Sequence, residues 1–119
     1  CDGGAVILAA ACSQGIGSRS YESWMEGKTS HADVLVCFAR EPFRVGPHKA
    51  FLVSRDAARV RTVLVSDMPP EVARRLLLEP AHSIDDALNM LLPGLPHGAS
   101  IGIMPAASST IPRVEGAGA

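Results

Sequence analysis

The chain has 119 residues, which sets a prior of one domain built on one modest core. Apolar residues make up 47% and charged residues 19%, a globular balance, and a formal net charge of −1 leaves no electrostatic footprint for nucleic acid. No apolar run approaches the ~20 residues that a spanning helix needs, so neither nucleic acid nor a membrane is expected as a partner.

Taken in order, Asp2, Gly3 and Gly4 read as a turn feeding a first strand. Residues 5–11 are an unbroken apolar run without alternation, so the strand is expected to be buried on both faces, as in a parallel sheet. A small polar loop follows at residues 12–18, with glycines at 15 and 17. Next comes a short helix in which Tyr21, Trp24 and Met25 share a face, with Trp24 as its packing anchor. Ser30 is placed to cap a second helix from His31 to about Arg40, with His31 on the surface. Pro47 suits the first position of a third helix, running to about Ala58. Arg44, His48 and Lys49 crowd its N-terminus, where cations are unfavourable. They read either as an anion site or as solvated cations facing acidic groups elsewhere.

Residues 60–66 are mixed but rich in β-branched side chains and form the second expected strand. Asp67 is placed to cap the short helix that starts at Pro70, and residues 79–82 read as a connector. Ser83 caps a further helix whose stripe is Ile84, Ala87, Leu88, Leu91 and Leu92, with Asp85 and Asp86 compensating its dipole. Residues 100–104 read as a third core strand, and residues 106–110 as a small polar loop after it.

Strands separated by helices imply an α/β fold: a three-layer αβα sandwich around a small, mainly parallel, Rossmann-like sheet. In such sheets ligands bind beyond the carboxyl ends of the strands. That rule selects residues 12–18, Ser66 with Asp67, and residues 106–110. The first loop lacks the third glycine of the dinucleotide fingerprint, since Ser20 stands there, and it lacks the Lys-Ser/Thr of a P-loop. His31, His48, His82 and His97 have no helical metal-ligand spacing, and no nucleophile–base–orienter set is visible. Cys1, Cys12 and Cys37 form no CxxC pair and are expected as free thiols in a reducing cytosol, which makes the protein cytoplasmic. The chain opens at Cys1 with no signal-peptide pattern and a strand only a few residues in, so it is expected to be a domain of a longer protein. That domain would span residues 1–112, with a flexible tail at 113–119.

Four stretches in order resemble the C-terminal domain of the nickel-dependent lactate racemase family: GGAVILAAACSQGIGS, GPHKAFLVSR, RTVLVSDMPPEVAR and IGIMPAASSTIP. The resemblance covers roughly residues 3–112. It implies a two-domain cytoplasmic 2-hydroxyacid racemase or epimerase with a nickel-pincer nucleotide and an active site between the domains. It also implies that the tethering lysine, the nickel-ligating histidine and the acid/base histidines belong to the N-terminal domain and not to this chain. The cofactor would be bound mainly by that domain, so no cofactor, metal or catalytic residue is expected in this chain alone. The family's cofactor-side aromatic residue falls near His48 and Lys49 here, which leaves the substrate open, lactate included.

The expected cleft-facing residues are Ser13, Gln14, Gly15 and Gly17, then His48 and Lys49, then Asp67. The expected partners are the N-terminal domain and a small 2-hydroxyacid, with a homo-oligomer left open. Two other classes remain: a free-standing anion- or nucleotide-binding module, and a purely structural or dimerisation domain.

Overall fold

The computed structural model describes residues 2–113 and 115–116. Its elements are β1 (Ala5–Ala9), α1 (Arg19–Met25), α2 (His31–Arg40), α3 (Pro47–Ala57), β2 (Arg61–Val65), α4 (Pro70–Arg75), β3 (Glu79–Ala81) and α5 (Ile84–Leu91). Two single-turn 3-10 helices follow, at Leu92–Gly94 and Ala107–Ser109. Among these residues no helix is long and apolar enough to cross a membrane. Cys12 and Cys37 are free thiols. Cys1 and most of the tail expected at 113–119 lie outside the described residues.

The strands form one parallel sheet in the order β1-β2-β3, with Ile7 opposite Val63 and Leu64 opposite Pro80. The architecture is the expected α/β one. Val63 and the α5 residues Ala87 and Leu91 form a buried cluster on one face, joined by Ala5, Ile7, Val65 and Ala81. Burying a Val or Leu side chain in this way is worth about 1.5–3 kcal/mol. On the other face Leu64 is buried and shares a cleft wall with Pro70 and Arg74 of α4. A second cluster joins four helices: Trp24 and Met25 from α1, Val34 from α2, Ala50 from α3, and Leu76 at the end of α4.

The helix starts follow local chemistry. Ser18, Ser30 and Ser83 each accept a hydrogen bond from the backbone N–H three residues on, the ordinary N-cap arrangement. In α2 the carboxylate of Asp33 also accepts from the backbone and hydroxyl of Thr29. The α4 helix ends in a Schellman turn: Leu78 N–H reaches Ala73 O at 3.1 Å and Leu77 N–H reaches Arg74 O at 2.9 Å. Leu77 takes the left-handed position there, with φ of 61°. Glycine is usual at that place, but this leucine packs on the helical cluster.

Four expectations are corrected. The first strand stops at Ala9 and is not buried on both faces: Val6 and Leu8 are each 47% exposed. The reason is position, since β1 is an edge strand and α5 covers only the side of Ala5 and Ile7. The third strand is Glu79–Ala81, not residues 100–104, and Ile101 and Ile103 are exposed. Pro80 cannot donate to a ladder but is tolerated on an edge, and Arg61 grips Glu79 from β2 through Nε at 3.0 Å and Nη2 at 2.5 Å. Asp67 does not cap α4, whose N-cap is Pro69 with no side-chain bond. His31 is half-buried rather than on the surface, and its Nδ1 lies 3.0 Å from Oγ of the buried Ser54 in α3.

Candidate functional site at the carboxyl edge of the sheet

Parallel strands deliver their C-terminal loops to one edge, so residues distant in sequence meet there. The β1–β2 ladder continues past the strands, with Ala10 N–H on Val65 O at 3.0 Å and Asp67 N–H on Ala11 O at 3.2 Å. This extension holds the loops after β1 and β2 side by side. Cys12 then takes a left-handed conformation, φ 51°, at about 1–2 kcal/mol cost. Gly15 closes a turn onto Cys12 O at 2.9 Å. Gly15 and Gly17 also have positive φ, so the loop's direction depends on residues without a Cβ.

The result is a cleft of about 480 Å³ whose walls include Gln14, Gly15 and Gly17 on one side and Met68 and Pro69 on the other. Arg19 and Arg75 line the same cleft. Arg75 leans toward Glu22 at 3.8 Å, with both side chains substantially exposed. An adjoining cleft of about 400 Å³ holds Ser66, Asp67 and His82, the residues that follow β2 and β3. The Ser66 hydroxyl accepts from Met68 N–H at 3.3 Å, which sets the turn between the two clefts. The edge therefore offers an amide, three guanidinium groups (Arg19, Arg74 and Arg75), two carboxylates (Glu22 and Asp67), an imidazole and glycine backbone, a set whose cationic and N–H groups can bind and orient a small polar anion.

Gln14, Gly15 and Gly17 thus share one cleft, and Asp67 stands in the adjoining one. Ser13 is exposed on the same loop but lines neither. His48 and Lys49 also line neither. His48 Nδ1 accepts from Gly46 N–H at 3.0 Å, and its ring lies 5.7 Å from that of Phe43, so it caps its own helix. Arg44 pairs with Glu41 at 3.0 Å. Two of the three side chains crowding the start of α3, Arg44 and His48, are therefore engaged within the chain. That helix end still meets the glycine loop's neighbourhood: Gly46, with φ 105°, packs so closely on Ser20 that a Cβ there would collide with its hydroxyl.

Residues 106–110 line neither cleft. They form an exposed 3-10 turn in which the Thr110 hydroxyl bonds Ala106 O at 2.8 Å. His82, Arg19, Arg74 and Arg75 line the clefts without having been singled out from the sequence. His82 would have been found had the three residues before it been recognised as a strand. The three arginines carry no such signal, because exposed arginines on short helices look alike in sequence.

The fold and the edge define a parallel-sheet α/β domain with a loop-built cleft. No known family profile matches the chain, and no curated protein matches it by sequence. Among solved structures it is similar to the lactate racemase apoprotein from Thermoanaerobacterium thermosaccharolyticum, with a TM-score of 0.73 and 21% identity. The match covers 82% of this chain and 24% of that one, so the chain spans about a quarter of the neighbour's length. The likeness is one of fold.

Proposed function

We propose that this chain is the domain that closes the interdomain active site of a 2-hydroxyacid racemase or epimerase of the lactate racemase-like, nickel-pincer kind. The observation that carries the reading is a loop-built cleft whose partly apolar walls carry Gln14, Arg19, Arg75 and Glu22, on a fold shared with part of lactate racemase. The chain's role is to bind and orient. Gln14 and the Gly15–Gly17 backbone, with Arg19 and Arg75 beside them, take the carboxylate of a small hydroxyacid or a phosphate of the cofactor, while Asp67 and His82 border the same edge. Alone it does not turn over substrate, because proximity catalysis needs the reacting groups held opposite this surface.

A nickel-pincer nucleotide would be held by the partner domain. Among the described residues no three His, Cys, Asp or Glu side chains converge where a metal could sit, so these residues do not fit nickel ligation and no step through the metal is assigned to them. The partner domain and a small 2-hydroxyacid are the implied partners, and a cytoplasmic setting belongs to the same reading.

The test is interconversion of small 2-hydroxyacid enantiomers, followed by chiral chromatography, in the polypeptide that carries this domain together with a cofactor-bearing one. Gln14 is exposed, so Gln14→Ala should leave the melting temperature unchanged while lowering kcat/KM about tenfold or more. Absence of interconversion for every hydroxyacid tried, or turnover indifferent to both Gln14→Ala and Asp67→Asn, would overturn the proposal.

A further inference from the structure

The β1 strand is paired on one side only. The bonds from Arg61 N–H to Gly4 O and from Ala10 N–H to Val65 O set its phase: even-numbered residues address β2. The N–H and C=O groups of Ala5, Ile7 and Ala9 therefore face the outer edge, where no strand pairs among the described residues. Val6 and Leu8 stand beside them, each 47% exposed. An open edge with apolar side chains is a template for another strand.

Residues 100–104, Ser-Ile-Gly-Ile-Met, have strand-like alternation and no charge, and their apolar side chains lie in solvent, Ile101 at 64% and Ile103 at 83% exposure. Two relationships connect this segment to that edge. The first is handedness. The steps from β1 to β2 to β3 run in one direction, whereas α5 covers the face opposite Leu64. Parallel crossovers are right-handed in about 98% of cases, so a helix on that face must lead back across the sheet. The first vacant place in that direction is beyond β1.

The second relationship is reach. Arg61, the first residue of β2, bonds Met90 O at 3.2 Å, so α5 ends at the amino edge of the sheet, where a parallel strand must begin. From β2 to a place beyond β1 is two strand spacings, about 10 Å. Residues 95–99, beyond the 3-10 turn that continues α5, can span about 16 Å.

We infer that residues 100–104 dock in parallel on the outer edge of β1 as a fourth strand, and that the described arrangement is the undocked form of this strap. Docking covers Val6, Leu8 and one isoleucine face of the strap together. It also brings residues 106–110 beside residues 12–18, at the point where strand order reverses and where ligands bind in doubly wound sheets. The inference concerns folding of the chain and stands whether or not the hydroxyacid reading holds.

Amide hydrogen exchange of the full chain by NMR tests it. The N–H groups of Ala5, Ile7 and Ala9 should exchange about a hundredfold or more slower than unprotected amides, in a species that sediments as a monomer. Ile103→Asp and Gly102→Pro should each abolish that protection while the amides of Val63 and Leu64 in the central strand stay protected. Fast exchange at all three positions in the unaltered chain overturns the inference. So does protection that survives both substitutions, or protection that grows with concentration alongside a dimer, which would mean pairing between copies.

Discussion

Trp24 Nε1–H donates to Glu41 Oε2 across 2.8 Å, joining the buried end of α1 to the residue that closes α2. The same carboxylate oxygen accepts from Arg44 at 3.0 Å. Lys28 lies over the indole, 4.2 Å from the ring centroid, and donates to Trp24 O. The single tryptophan is thus held by packing on the helical cluster and by a polar ring around its edge.

This relationship has a pH consequence. The Trp24 hydrogen bond, with Arg44 in support, holds the Glu41 carboxyl below its ordinary range. A depressed folded-state pKa contributes stability that is fully present above the unfolded value, about 4.3, and is lost as pH falls through the folded one. Urea midpoints followed by Trp24 fluorescence should be flat in this respect from pH 7 to about 5 and fall below. In Glu41→Gln the fall should be shallower. Equal slopes in the two proteins would show that Glu41 carries none of it.

Gly46 gives a second prediction. Its φ of 105° and ψ of −74° suit glycine alone, and its Cα faces the Ser20 side chain. Gly46→Ala should cost about 2–3 kcal/mol from backbone strain and collision together. Adding Ser20→Ala should recover part of the loss, because it removes the collision and leaves the strain. Full recovery would show that the backbone term is small.

His31 and Ser54 should behave asymmetrically. Ser54 is 2% exposed, whereas His31 is half-buried and can turn to water. His31→Ala strands a buried hydroxyl and should cost about 1–3 kcal/mol; Ser54→Ala should cost less. A double-mutant cycle by chemical denaturation should return a coupling of about 1 kcal/mol. Zero coupling would mean the two do not bond in solution.

Val63 is wholly buried between β1, β3 and α5. Val63→Ala should lower stability by about 2 kcal/mol through lost burial and a residual cavity, seen as a shift of the denaturant midpoint without a change of slope.

Much of the local structure was legible from the chain itself. Ser30 and Ser83 are caps whose hydrogen bonds close within three residues, and Pro47 and Pro70 start helices through their fixed φ, so these boundaries need no distant partner; Ser18 caps α1 in the same way but was read only as part of the loop. The β-branched run at 61–65 and the parallel α/β class follow equally from pattern.

The apolar run after Gly4 was legible as a strand, but its place was not. Only the sheet order puts β1 at an edge, which leaves Val6 and Leu8 open and stops the strand at Ala9. Glu79–Ala81 is a strand because Arg61 and β2 hold it, not because three residues around a proline prefer to be extended. The meeting of Gln14 with Met68, and of Asp67 with His82, is likewise a product of parallel pairing. Local rules determined each helix start, where the interactions span one turn. Tertiary structure decided which loops share a cleft, because that depends on contacts closed across many residues of chain, from Asp67 to His82 and from Gln14 to Met68.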